Sequence, residues 1–289
     1  MFSINTGLER EESIYKKSIM EKLMAKIMDW FRFLFGGGQT IEIVENDGED
    51  TPVDIVDPAD EPEDADEGEG PEIIIPVAPE PDRKWKYAFL LDNGHAASTP
   101  GKRSPKESNG KQFFEYEFNR DIVKRLSAKL DEMRIPHEII VPETEVDVPL
   151  SVRAARANAL CDKYGRDRTI LISVHANAAG KGDKWMTAKG WCCYTSKGET
   201  ASDTYAEIFM REAEKVLAPM GFIIRKYSQK KYSWEENYTI LVKTVCPAIL
   251  TENLFYDNRD EVRFLQSEIG REAITQIHLN TIMQIENLG

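Results

Sequence analysis

Thr169–Ala178 reads TILISVHANA, and this stretch constrains the chain most tightly. Ile170, Leu171, Ile172 and Val174 form a short apolar run. It ends at His175 and gives way to small and polar residues: Ala176, Asn177, Ala178, Ala179 and Gly180. Such a run, bounded by a loop signal, predicts a strand buried on both faces, as in a parallel sheet. In open α/β sheets, ligands collect beyond the carboxyl ends of the strands. His175 stands at such an end.

The rest of the chain after residue 83 supplies partners for that strand. Further strands are expected at Trp85–Leu91, Glu138–Val141, Gly190–Thr195, Gly221–Arg225 and Ala248–Thr251. Between them, Glu115–Met133 reads as a helix with Phe118, Ile122, Leu126, Leu130 and Met133 as its apolar stripe, stopped by Pro136. Ser151 is placed to cap a helix running to about Tyr164, Asp203–Leu217 is another helix, and Asn258 with Glu261 forms a capping box for the last ones. Strands alternating with helices of this length predict an α/β domain over residues 84–289.

The first 83 residues have a different character. Met20, Leu23, Met24, Ile27, Met28, Phe31, Leu34 and Phe35 line one face of an amphipathic helix, Met20–Phe35, ended by Gly36-Gly37-Gly38. This segment, residues 1–38, is a candidate for self-association, a protein partner or a membrane surface. Residues 39–83 form an acidic, Pro-rich linker. Seventeen of the 50 acidic residues lie between Glu42 and Asp82 with no Lys or Arg among them, leaving 33 against 37 basic residues elsewhere. The net charge of -13 therefore belongs to the linker. No clustered basic face marks a nucleic-acid binder. The four cysteines, Cys161, Cys192, Cys193 and Cys246, show no metal-ribbon spacing and read as buried free thiols.

Three candidate site residues follow apolar runs: His95 after Leu91, His175 after Val174, and Glu252 after Ile249-Leu250-Thr251. A fourth comes from helix geometry. At about 100° per residue, Glu115 falls within the apolar stripe, whereas Glu117 falls opposite with Asp121, Lys124 and Asp131. A carboxylate on a buried stripe is costly unless paired or bound to a metal. Two histidines and one glutamate make the donor set of a catalytic zinc site with its fourth position open, and Glu252 is then available as proton shuttle. His137 and His278 read as surface or packing residues.

Five segments now stand in register: Asp92-Asn93-Gly94-His95; Glu115-Tyr116-Glu117-Phe118-Asn119; Arg153 with Ala157-Asn158; Ser173-Val174-His175-Ala176-Asn177-Ala178; and Glu252-Asn253-Leu254-Phe255 with Asn258. In order and spacing they resemble the zinc-dependent N-acetylmuramoyl-L-alanine amidases of the type 3 family, over about 200 residues. The resemblance implies an α/β fold with a mixed, mostly parallel sheet flanked by helices. It also implies one zinc ion held by His95, Glu115 and His175, with Glu252 as catalytic general base and acid for a zinc-bound water. The substrate would be peptidoglycan, cut between N-acetylmuramic acid and L-alanine, with Asn177 and Arg153 as candidate substrate-holding residues. Asn93 stands where the family has Pro, and Asn253-Leu254-Phe255 where it has a small residue and Gly-Phe. Gly180–Lys189 is too short for the autoinhibitory helix that some members insert. No secretory signal precedes the first apolar stretch, so the expectation is synthesis in the cytoplasm and action at the bacterial wall, as for a phage or prophage lysin. The rival expectations are a non-catalytic peptidoglycan-binding or structural protein of a phage or envelope assembly, and a related zinc peptidase.

Overall fold

A computed structural model of the chain describes residues 84–288. The amphipathic helix Met20–Phe35 and the acidic stretch 39–83 lie outside the described residues. The elements run β1 (Ala88–Asn93), α1 (Glu115–Glu132), β2 (His137–Ile139), α2 (Leu150–Tyr164), β3 (Thr169–Asn177), β4 (Cys192–Thr195), α3 (Ala201–Leu217), β5 (Trp234–Glu235), α4 (Thr239–Lys243), β6 (Ala248–Phe255), α5 (Arg259–Gln266) and α6 (Glu268–Glu286). Six strands form one sheet in the order β2-β1-β3-β6-β4-β5. β2, β1, β3 and β6 are mutually parallel, and β4 runs antiparallel to β6 with β5 parallel to it. The sheet is thus mixed and mostly parallel, as expected.

The TILISVHANA run explains the layering. Side chains alternate across a strand, so Ile170, Ile172 and Val174 enter one core while Leu171 enters the other. The larger core is closed by α1, α3 and α6 through Phe118, Ile122, Phe209, Ile274 and Ile277. The smaller is closed by α2 and α4 through Ala154, Ala157, Cys161, Ile240 and Leu241. Burying each large apolar side chain contributes roughly 1.5–3 kcal/mol. With both faces covered, polar groups are left to gather at the rim formed by the carboxyl ends of β1, β3 and β6. All four cysteines are buried and free. Among the described residues no helix is long and apolar enough to cross a membrane.

Several expected elements shift. β1 starts at Ala88 and continues through Asn93, β2 is the three-residue His137–Ile139, and β4 begins at Cys192. Gly221–Arg225 is not a strand; Ile224 makes only an isolated bridge with Trp191. Ser151 lies inside α2, and Pro149 occupies the N-cap with φ −55. Proline there loses no hydrogen bond, because the first helical N–H groups have no intrahelical partner. α3 starts earlier, at Ala201, through a capping box between Thr200 and Asp203. Asn258 caps α5 by accepting from the Asp260 and Glu261 N–H groups. Glu261 does not return the bond, because its carboxylate is used elsewhere. β5 and α4 carry no apolar period that announces them.

Candidate metal centre

The site is built where β1 turns away from the sheet. Gly94 donates its N–H to Val174 O (3.1 Å), and Asn119 on α1 donates Nδ2–H to Gly94 O (3.0 Å). A Cβ on Gly94 would lie 2.1 Å from His175 Cε1, so only glycine leaves room for that imidazole. The next residue, His95, holds a left-handed φ of 63°, which costs strain in a non-glycine residue and aims its ring back at the rim.

Glu115 opens α1 at 1% exposure, where the positive end of the helix dipole favours a carboxylate. Its Oε1 lies 3.0 Å from His175 Nδ1 and 3.4 Å from His95 Nε2, and accepts from the Ala176 N–H at 3.3 Å. The two imidazoles meet edge to face, with ring centres 4.9 Å apart. One donor atom from each of His95, Glu115 and His175 can be chosen so that all lie within 4.8 Å of one another. Burial alone would raise the Glu115 carboxyl. The hydrogen bond with His175 and the close contact with His95 outweigh it and hold the group well below the usual carboxylate range. Burial lowers His95, whereas for His175 the contact with Glu115 overcomes burial and raises it.

Buried polar atoms at this rim without a hydrogen-bond partner include His95 Nε2, Glu115 Oε2, Glu252 Oε2 and Asn93 Oδ1. Buried polar atoms are normally satisfied, and leaving one bare costs about 1–3 kcal/mol. Two imidazoles and a carboxylate, with bare donor atoms converging, fit a divalent metal ion.

Glu252 lies within β6, not just past it, because the strand extends to Phe255. It pairs directly with His175 across the β3–β6 ladder. Burial pushes its carboxyl up to about 7. The metal-ligand candidates and the catalytic candidate are thus brought to one place. Asn177 ends β3 on the same rim. Its Oδ1 accepts from the Ala178 N–H (2.8 Å). Arg153 is placed differently from expectation. It is 2% exposed, and its guanidinium donates to Asp92 Oδ1 (2.9 Å), Asn93 O (3.1 Å), Val148 O (2.9 Å) and Asp147 Oδ1 (3.1 Å). With Ser173, which donates to Asp92 Oδ2 (2.6 Å), it braces the end of β1 from beneath. Four of its five N–H donors are thus engaged within the protein.

Two residues at the rim escape sequence reasoning. Lys102 places Nζ 3.7 Å from Glu115 Oε2; a lysine in a Gly/Ser/Lys/Pro loop gives no signal of this. Asn253 donates Nδ2–H to His175 O (2.8 Å) and accepts from Trp191 Nε1–H (2.7 Å), fixing the backbone of the second histidine. Its neighbour Leu254, where the resembled family has Gly, takes a left-handed φ of 65° while fully buried. The pairing of β3 with β6 shifts register there.

Comparison with known proteins places the fold in a family. The model of the N-acetylmuramoyl-L-alanine amidase family matches residues 89–284. The chain is 28% identical over 205 residues to an endolysin of Bacillus phage SPP1, covering 68% of this chain and 65% of that protein. It is 27% identical over 202 residues to the N-acetylmuramoyl-L-alanine amidase CwlM of Bacillus licheniformis, covering 70% of this chain and 69% of that protein. The chain thus spans about 65% of the length of the phage relative. Among solved structures, an N-acetylmuramoyl-L-alanine amidase from Clostridium difficile superposes with TM-score 0.56 at 20% identity, covering 71% of this chain and 98% of that one. The catalytic domain of CwlV from Bacillus (Paenibacillus) polymyxa does so with TM-score 0.55 at 17% identity, covering 70% and 99%. Both carry the same fold. With the family match spanning most of the chain and the paired histidines and glutamate at one rim, the chain belongs to the N-acetylmuramoyl-L-alanine amidase family.

Proposed function

We propose that residues 84–289 form a zinc amidase domain that hydrolyses the amide between N-acetylmuramic acid and L-alanine in peptidoglycan. His95, Glu115 and His175 would hold one zinc ion, and Glu252 is the catalytic carboxylate. The reading is carried by one observation: a donor atom from each of the three side chains lies within 4.8 Å of the others, and His95 Nε2 and Glu115 Oε2 are buried there without a hydrogen bond. The chemistry a bound zinc ion supplies is Lewis acidity toward a carbonyl and toward water. The protein's own part follows from its geometry. Glu252, beside His175 in the ladder, takes the proton from the attacking water and delivers it to the departing amine of L-alanine. Asn177, on the same rim, is available to hold the substrate. The Arg153–Asp92–Ser173 brace and the Asn119–Gly94 bond fix the turn that carries His95. Action at the bacterial wall, as for a phage lysin, suits this chemistry.

The test is Glu252→Gln. The variant keeps about one zinc per chain and the wild-type fold, while release of new L-alanine amino termini from peptidoglycan falls about 10²–10⁴-fold, the usual size of a general acid–base contribution. Undiminished turnover by this variant would end the assignment. Fragments cut at another bond, identified by mass, would favour a different zinc hydrolase.

A further inference from the structure

The loops after β1 and β3 enclose a cleft of about 680 Å³, whose wall follows directly in the chain on Lys102. One wall is the loop after β1, which brings Arg103, Lys106 and Gln112. The other is the loop after β3, which brings Asp183 and Trp185, and the start of α5 adds Arg259. The walls are pinned to each other and to the site. Gly182 holds φ 84°, and a Cβ there would lie 2.7 Å from Arg103 O, so the two loops meet backbone to backbone. Arg103 bridges Phe114, and Glu115 donates its N–H to Lys102 O (3.0 Å). Arg103 of the cleft wall is therefore the chain neighbour of Lys102, whose Nζ lies 3.7 Å from Glu115.

Three cations line this cleft against one carboxylate. Arg259 stacks over the Trp185 ring at 4.5 Å, and its ion pair with Glu107 is 3.6 Å long and half exposed, which makes it weak. No ion pair is formed by Arg103 or Lys106 among the described residues. A planar guanidinium held on an aromatic face is a preformed receptor for a carboxylate. Beyond β6, the opposite side of the rim carries the rings of Tyr194, Trp234 and Tyr238, which suit uncharged sugars. Of the two arms joined by the scissile amide, only the peptide carries free carboxylates along its length.

We infer that this cleft binds a free carboxylate of the substrate's peptide arm through Arg103, Lys106 and Arg259, an inference that rests on the amidase reading. The experiment is calorimetric titration of the full chain with the peptide L-alanyl-γ-D-glutamyl-L-lysine and with the same peptide as its carboxamides. The acid should bind about tenfold tighter than the amide. That preference should shrink when ionic strength rises from about 0.05 to about 0.5 M, because the pairs are partly exposed. The double variant Arg103→Gln/Arg259→Gln should lose the preference while the amide binds as before. The milder Lys106→Gln should reduce it about threefold, and unchanged thermal melting shows that either variant folds. Equal binding of acid and amide by the wild type, or a preference that survives the double variant, overturns the inference. Turnover of the glycan-linked peptide is followed in parallel. Intact carboxylate preference without turnover would sink the amidase reading and leave the carboxylate site standing, so the two failures differ.

Discussion

Two kinds of buried carboxylate meet at the carboxyl end of β6, and they are treated in opposite ways. Glu261 is 2% exposed, and both of its oxygens are occupied: Oε1 accepts from Gly190 N–H at 2.7 Å and Oε2 from Phe255 N–H at 2.8 Å. Glu115 and Glu252 each keep a buried Oε2 without a hydrogen bond. The histidines divide in the same way. His278 is buried with both nitrogens engaged. Its Nδ1–H donates to Ile274 O (2.8 Å), which leaves Nε2 to accept from the Thr251 hydroxyl (3.0 Å). His95 leaves Nε2 bare. Burial alone does not mark a functional group here. The proposed site is set apart by unsatisfied imidazole and carboxylate atoms gathered at one rim, close enough together to share an ion.

The sharpest way to break this contrast is to remove a group from the unsatisfied set. His175→Ala should bring both bound zinc, read by elemental analysis, and amidase turnover to background, while circular dichroism stays that of the folded protein. The imidazole is a proposed ligand and only partly buried, so its loss costs function before fold. A variant that retains stoichiometric zinc would show that the ion is held elsewhere.

The satisfied set should respond in stability. Glu261→Ala leaves the Gly190 and Phe255 N–H groups buried without acceptors, at about 1–3 kcal/mol each. The expected loss is about 2–6 kcal/mol, or roughly 5–25 °C in melting temperature for a domain of this size. Below its melting point the variant should still bind one zinc per chain. Normal melting combined with lost metal would erase the distinction between the two carboxylates.

How far the sequence alone could draw this line depends on the range of the physics involved. The position of Glu115 was legible because a helical period is local: eighteen residues suffice to put a carboxylate among Phe118, Ile122 and Leu126. His175 and the layered sheet were legible because a run apolar on both faces has few folded solutions. Arg153 shows the limit. Its place in α2 was readable, but whether its guanidinium meets substrate depends on Asp92, 61 residues away, and on Asn93 O. Glu261 reads in the sequence as the second half of a capping box, yet its carboxylate oxygens accept from Gly190 and Phe255, on two other segments. The bulge at Asn253-Leu254 had no signal beyond a departure from the resembled pattern, since a buried leucine at positive φ is held there by packing, not by preference. Lys102 and the cleft walls sit on loops whose course is set by contacts between segments, which no periodicity records.

The smallest effect concerns His278, the satisfied counterpart of His95. Burial among Phe209 and the helix backbone pushes its pKa down to about 4, against 6.5 when exposed. The folded state therefore binds its proton less tightly than the unfolded chain. Its contribution is fully present above pH 6.5 and is lost as pH falls toward 4. At pH 5.5 the loss is about 1.4 kcal/mol. His278→Gln keeps a donor and an acceptor at the position but cannot titrate. Urea unfolding between pH 7.5 and pH 5 should therefore show the wild type losing stability relative to the variant as pH falls, whatever the offset at neutral pH. Parallel pH profiles would show that this imidazole accepts a proton in the core without cost, and that satisfaction of both its nitrogens does not hold it neutral.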